Sequence, residues 1–263
     1  MKYVIITGAY GGMGKKAVQK FVDDGYTVFA LDKKVEEPTE RVIPVLVDVT
    51  NKESLTFAFE QIKKVTDKVF AIVHFAGIYT LDSLVEIGED EFDRTFKINL
   101  YGAFNVNKTF LPLLDKKSRI VMVTSELAPL DPLPFTGIYA ISKRALDAYA
   151  YSLKMELQLL DIFVSVIRAG AVKTDMLGVS TTALDKFCEK TELYKVNSKR
   201  FKKIVESVEA KYVLPEKVAK KAIKIVNSKK PKFAYSLNRN KLLLLLNALP
   251  KSLRFKIIKT ILK

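Results

Sequence analysis

With 263 residues, 49% apolar and 28% charged, the chain has the length and composition of one large α/β domain or two small ones, and a wholly disordered chain is excluded. One Cys (Cys188) and one His (His74) exclude an internal disulfide framework and any His/Cys metal cluster, so no metal site is assigned. The formal charge of +15 is lopsided: residues 1–198 hold 25 basic and 26 acidic side chains and residues 199–263 hold 19 and 3, which confines any polyanion-binding reading to the last quarter.

In chain order, Tyr3-Val4-Ile5-Ile6 is a short apolar run that turns at once into a Gly-rich stretch. It predicts a buried strand and not a signal peptide, which needs a basic region, a longer apolar segment and a small-residue cleavage site. Similar apolar runs recur at 27–31, 42–47, 69–75, 119–124, 162–167 and 232–235, and helical spacing fills 14–23, 52–65, 89–113, 139–160 and 215–227. Strands that are apolar at nearly every position need cover on both faces. The expectation is therefore an α/β fold, a doubly wound parallel sheet of about seven strands (a Rossmann fold), with ligands at the carboxyl ends of the strands where the winding reverses. Residues 1–236 make this single domain and 237–263 a helical C-terminal extension. The polar stretch 174–210 has the least regular spacing and is placed as a substrate lid, with a surface insertion of no catalytic consequence as the alternative.

Thr7-Gly8-Ala9-Tyr10-Gly11-Gly12-Met13-Gly14 lies between the first strand and the first helix. Gly accepts φ > 0 and lets backbone approach a pyrophosphate, while a helix N-terminus offers unpaired N–H groups to the anion. Gly8, Tyr10, Gly12, Met13 and Gly14 are thus candidate cofactor residues. Asp32 ends the second strand 18 residues after Gly14, where a carboxylate accepts from both hydroxyls of an adenosine ribose and repels a 2′-phosphate. That favours NAD over NADP, a preference Lys33 or Lys34 would soften by folding back. The alternative for Asp32 is an ordinary strand-end turn residue.

Tyr139-Ala140-Ile141-Ser142-Lys143 puts a phenol and an ammonium one helical turn apart. A phenol of ordinary pKa about 10 is a poor proton carrier at neutral pH, and a neighbouring ammonium lowers it toward use as a general acid/base. Taken alone, such a pair is usually a solvated surface feature. Ser125 ends the preceding strand and Asn99 falls in a helical pattern. With the Gly pattern at 7–14, Asp48-Val49 after the third strand, Ala76-Gly77 after the fourth, and Asn99, Ser125, Tyr139 and Lys143 in order, residues 2–236 resemble the classical short-chain dehydrogenase/reductase family.

The resemblance implies a catalytic tetrad of Asn99, Ser125, Tyr139 and Lys143: the serine orients the substrate oxygen and the tyrosine carries the proton. The lysine binds the nicotinamide ribose and lowers the tyrosine, and the asparagine supports a proton relay through water. It further implies Asp48 at the adenine edge supported by Val49, Ala76 and Gly77 lining the cofactor, and Thr174 reaching the carboxamide. The chain departs from the family at His74-Phe75-Ala76-Gly77, where Asn-Asn-Ala-Gly is usual, and at Ala169, where Pro is common. His74 is read as a structural replacement for an amide, with no catalytic role. Gly8, Gly11 and Gly14 also satisfy the spacing of the extended nucleotide-sugar relatives, but the chain has no length for their extra domain.

After the last strand come the five leucines of 242–246, a break at Pro250, and 251–263 with six apolar residues on a broad arc that Arg254 interrupts. Neither segment reaches the ~20 apolar residues of a membrane span. Two roles compete for 242–263: a peripheral contact with an anionic membrane, or packing on a partner subunit or over the substrate cavity. Nucleic acid is excluded, since no aromatic platform or known nucleic-acid motif accompanies the charge. The expected function is cytoplasmic, NAD-dependent hydride transfer to or from a lipophilic secondary alcohol or ketone of steroid, retinoid or acyl type. The resemblance implies a homodimer or homotetramer pairing through helices at 99–113 and 139–160. A non-catalytic NAD(P)-binding sensor or scaffold is the alternative.

Overall fold

The computed structural model describes residues 2–209 and 212–263, without the side chains of 175–182 and 208–209. Its strands are β1 (Lys2–Thr7), β2 (Tyr26–Asp32), β3 (Val42–Leu46), β4 (Val69–His74), β5 (Leu114–Ser125), β6 (Phe163–Ala169) and β7 (Ala234–Leu237). They form one parallel sheet in the order β3-β2-β1-β4-β5-β6-β7. The winding reverses between β1 and β4, so the crevice for a ligand opens where Thr7, His74 and Ser125 end their strands.

Successive strand residues are buried on opposite faces, as a sheet covered on both sides requires. Val4, Ile6, Val28, Ala30, Ala71 and Val73 pack against α1 (Gly12–Asp23) and α8 (Pro215–Val226). Ile5, Phe29, Leu31 and Ile72 pack against α2 (Lys52–Lys63) and α4 (Gly102–Phe110). Leu146 and Ala150 of α5 (Gly137–Leu157) cover Ile120 and Met122 of β5 and Val164 and Val166 of β6. Phe29 and Phe110 are 1% and 0% exposed, and truncating either to Ala costs about 3–5 kcal/mol.

The spacing at 89–113 resolves into α3 (Glu89–Phe96), a π turn at Lys97–Tyr101, α4 and a 3-10 turn at Leu111–Leu113. Glu89, Asp90 and Glu91 complement the positive N-terminus of α3. The π turn falls on Asn99, a local irregularity frequent at functional positions.

The expectation of irregular structure over 174–210 is corrected. Residues 175–209 form two helices, α6 (Asp175–Lys190) and α7 (Lys195–Glu209) joined by a short connection, while Ala210 lies outside the described residues. Leu184, Phe187 and Phe201 recur at helical intervals and close over Leu81 and Phe135, a pattern the surrounding lysines obscure in the sequence. Glu86 fastens the connection, accepting from Thr191 Oγ1 (2.7 Å) and from the amides of Glu192 (2.8 Å) and Leu193 (3.1 Å). The extension forms α9 (Lys241–Ala248), capped by the Asn240 side chain, and α10 (Lys251–Leu262), with Pro250 between them. Among the described residues no helix is long and apolar enough to cross a membrane.

Candidate active site

The loop between β1 and α1 is built on close backbone approach. Gly8 has φ +64°, and a Cβ there would lie 2.5 Å from the Ala76 amide nitrogen. A Cβ on Gly14 would lie 1.9 Å from the Gly8 carbonyl oxygen, so the first turn of α1 folds directly onto the loop. Gly12 faces Thr174, whose Cβ would stand 2.8 Å from a side chain at that position. Gly8, Gly12, Gly14, Ala76 and Thr174 therefore meet at one place. Gly11 precedes α1 without a side-chain cap, leaving the helix N–H groups to an anion. Bare helix amides behind a cradle that any Cβ would fill fit the pyrophosphate of a dinucleotide.

Asp32 stands beside this cradle, its Oδ2 accepting from the Tyr10 amide (2.9 Å) and its Oδ1 from the Lys33 amide (2.7 Å). Lys33 does not fold back on Asp32; its Nζ lies 2.8 Å from Asp48 Oδ2. Burial alone would raise the Asp48 carboxyl, but hydrogen bonds from Lys33 and Thr50 hold it below the usual range. Val49 packs under Gly102, where a Cβ would meet its Cγ2 at 2.7 Å, so the turn after β3 is seated on the start of α4. Met13 is half-buried against the core on the α1 side.

The tetrad positions converge at the carboxyl end of β5. Ser125 is 4% exposed, its Oγ accepts from the Leu127 amide (3.1 Å), and it stands beside the Tyr139 phenol, which it lowers. Asn99, 1% exposed, brackets Ile78, accepting from its amide (2.8 Å) and donating to its carbonyl (3.0 Å), and donates to Ser142 Oγ (3.0 Å). A Cβ on Gly77 would lie 3.1 Å from Asn99 Oδ1 and 3.2 Å from Lys143 Nζ, which brings Gly77 into the same group.

One electrostatic expectation is reversed in this arrangement. Burial pushes Tyr139 up to about 12, more than the Ser125 hydrogen bond lowers it, and burial pulls Lys143 down to about 8. The Lys143 ammonium donates to the Val123 carbonyl (3.3 Å) and stands 5.8 Å from the Tyr139 ring centre, so desolvation is what sets both shifts. His74 behaves as a structural residue. It is buried, its Nε2 lies 2.8 Å from Asn107 Oδ1, and burial lowers it to about 4.

Three features escaped the sequence reading. The Tyr79 ring lies 4.8 Å from that of Tyr139 and fringes the apolar cluster of Leu81, Phe135, Leu184, Phe187, Phe201 and Leu262. Glu126, directly after Ser125, accepts from the Asn240 amide (2.7 Å) and is raised by burial. Arg254 of α10 pairs with Asp131 (2.7 Å), in the segment between Ser125 and Tyr139. Only Glu126 carried a signal, its place beside the serine; ring contacts and ion pairs across such sequence distances have none.

A family model described as short chain dehydrogenase matches residues 2–185. The chain is 28% identical over 231 residues to a 3-ketodihydrosphingosine reductase of Bacteroides thetaiotaomicron, covering 88% of this chain and 85% of that protein. It is 34% identical over 190 residues to estradiol 17-beta-dehydrogenase 2 of Mus musculus, covering 67% of this chain and 50% of that one. Among solved structures, a short chain dehydrogenase family protein from Francisella tularensis superposes with a TM-score of 0.76 at 20% identity, over 90% of this chain and 97% of that one, a likeness of fold. With its parallel sheet, its glycine cradle and a family match over most of its length, the chain belongs to the short chain dehydrogenase family of NAD(P)-binding oxidoreductases.

Proposed function

We propose that the protein is an NAD(H)-dependent oxidoreductase that moves hydride between the nicotinamide and a secondary alcohol or ketone carrying a lipophilic substituent of steroid, retinoid or acyl type. The observation that carries this reading is the Tyr139 phenol, set beside Ser125 and Lys143 and in ring contact with Tyr79 at the edge of an apolar cluster. When bound, the cofactor supplies or accepts the hydride. Ser125 holds the substrate oxygen; Tyr139 donates its proton to that oxygen in reduction and takes the hydroxyl proton in oxidation. A phenol at about 12 keeps its proton at neutral pH, which suits the donor role, and Lys143 at about 8 exchanges protons near neutrality one helical turn away. Asn99 positions Ile78 and Ser142 around the pair. The names of the two relatives, a sphingoid reductase and a steroid dehydrogenase, support a lipophilic substrate.

Asp32 supports NAD over NADP, because its carboxylate sits on the loop amides at the ribose end while Lys33 is occupied by Asp48. Residues 1–236 serve as the cofactor-binding and catalytic unit, 174–210 as the lid and 237–263 as the extension. Tyr101, Phe104, Tyr151 and Met155 stay 40–57% exposed on the outer side of α4 and α5, which supports a homodimer or homotetramer. The protein is cytoplasmic in this reading. Residues 242–263 make a peripheral contact with anionic membrane, supported by Leu242 and Leu245 at 60% and 64% exposure in a segment without acidic residues. The test is ketone-dependent consumption of NADH over a panel of long-chain ketones and ketosteroids. Tyr139→Phe is expected to lower kcat by about 10²–10⁴-fold while calorimetric NADH binding persists. NADH binding without turnover of any substrate by the unaltered protein refutes the reading in favour of a sensor or scaffold.

A further inference from the structure

Helix α7 divides its residues by face. Ser198 and Phe201 are buried and turn inward, Phe201 into the cluster with Phe135 and Leu262. Leu193, just before the helix, and Val196, in its first turn, are 67% and 59% exposed. Lys199, Arg200 and Lys203 follow Val196 at i+3, i+4 and i+7, so they share its face, and all three are exposed. From 195 to 203 the chain carries five basic residues and no acidic one. Lys195 is held by Glu192 (2.9 Å) and Lys202 by Asp185 and Glu206, whereas among the described residues Lys199, Arg200 and Lys203 meet no carboxylate.

This face continues onto α10. Asn197 Nδ2 donates to the Leu262 carbonyl in the last turn of α10 (2.7 Å), and Ile261 beside it is 51% exposed. Lys259 and Lys263 flank Ile261, and 251–263 contains no acidic residue. Two segments distant in sequence thus present the same chemistry on either side of one hydrogen bond: bare apolar side chains among cations. A merely solvated face has no use for Leu193, Val196 and Ile261, and a soluble polyanion gains nothing from them. A second copy meeting this face with its own would oppose like charges. The combination suits an anionic bilayer, where apolar side chains enter below the headgroups and lysines stay among them.

We propose that α7 and α10 together form a docking surface for anionic membrane, with Leu193, Val196 and Ile261 entering the interface and Lys199, Arg200 and Lys203 among the headgroups. The proposal rests on the membrane contact read above for 242–263 and extends it to α7, an element outside the extension. The chain has no Trp, so a single introduced indole reports only its own surroundings. The full chain carrying Leu193→Trp, and separately Val196→Trp, is titrated with vesicles of phosphatidylcholine and phosphatidylserine in equal parts, with plain or brominated acyl chains. Phe57→Trp, at an exposed position on α2, is the control. Emission in the two α7-side variants is expected to shift to the blue and to be quenched by the brominated chains, and in Phe57→Trp to stay unchanged. Pairing Lys199→Gln with Lys203→Gln is expected to lower the vesicle partition coefficient about tenfold. Flotation of the unaltered protein with emission unchanged in both Leu193→Trp and Val196→Trp overturns the proposal and leaves the contact of 242–263 standing. Absence of flotation overturns both. An equal response on phosphatidylcholine alone, or equal quenching in Phe57→Trp, overturns the proposal as adsorption without a preferred lipid or face. A blue shift that grows with protein concentration in the absence of vesicles assigns the face to a second copy and likewise overturns it.

Discussion

Acidification should destabilise this protein through a single imidazole. His74 is lowered by burial from 6.5 to about 4, so between these values the unfolded chain binds a proton that the folded chain refuses. The stability associated with the neutral imidazole is complete above pH 6.5 and falls away as pH drops toward about 4, where the loss levels off. The shift from 6.5 to about 4 corresponds to about 3 kcal/mol at 1.36 kcal/mol per unit, with no discount for solvent because the ring is enclosed. That is a large fraction of the ~5–15 kcal/mol that holds a domain together. The assay is urea unfolding across this window for the unaltered chain and for His74→Asn, whose amide does not titrate. Carboxylates contribute to both proteins, so the difference between the two curves isolates the imidazole. As the chain has one His, its ring resonance also gives the folded value directly. An imidazole titrating near 6.5 in the folded protein, or unfolding curves for the two proteins that run parallel between pH 6.5 and 4, would refute the reasoning.

The remaining expectations concern the two ends of the cofactor cradle and the surface of the extension. Gly14→Ala places a methyl 1.9 Å from the Gly8 carbonyl and should cost about 1–3 kcal/mol of stability along with NADH affinity. Calorimetry and thermal melts that match the unaltered protein would contradict this. Asp32→Ser should weaken NADH and favour NADPH by about tenfold or more, on the scale of a lost hydrogen bond to a charged group, as read by the ratio of KM values. Paired Leu242→Glu and Leu245→Glu substitutions should abolish flotation with anionic vesicles, since each removes exposed apolar surface and adds like charge to the lipid. Failure of the unaltered protein to float on anionic vesicles would refute the membrane contact.

The sheet was legible because its strands carry apolar residues at both odd and even positions, and only a doubly covered parallel sheet buries both sets. The glycine loop and the Tyr139/Lys143 pair were legible as local spacing, Asn99 and Ser125 only through the family resemblance, and the fold brings them to one strand end. Helices α6 and α7 were not legible, since Leu184, Phe187 and Phe201 are scattered among lysines and acquire meaning only when Phe135 stands between them. The direction of the Tyr139 shift was misread for a related reason. The sequence shows the ammonium four residues away, but the desolvation that dominates depends on how deeply the fold buries the phenol and on Tyr79, sixty residues before it in the chain. Arg254 looked like an interruption of an apolar arc because its partner, Asp131, lies in another part of the chain.

The bond chain that begins at His74 has a further consequence. Asn107 on α4 joins the imidazole on β4 to the Tyr149 hydroxyl on α5, to which it donates at 3.1 Å. Apolar side chains alone tolerate small displacements of one helix along another, whereas directional bonds through one amide do not. This bracket sets the axial alignment of the two helices: one is continuous with the turn that carries Asn99, and the other carries Tyr139 and Lys143. The imidazole of His74, enclosed at the end of β4, thereby keys Asn99, Tyr139 and Lys143 to one another.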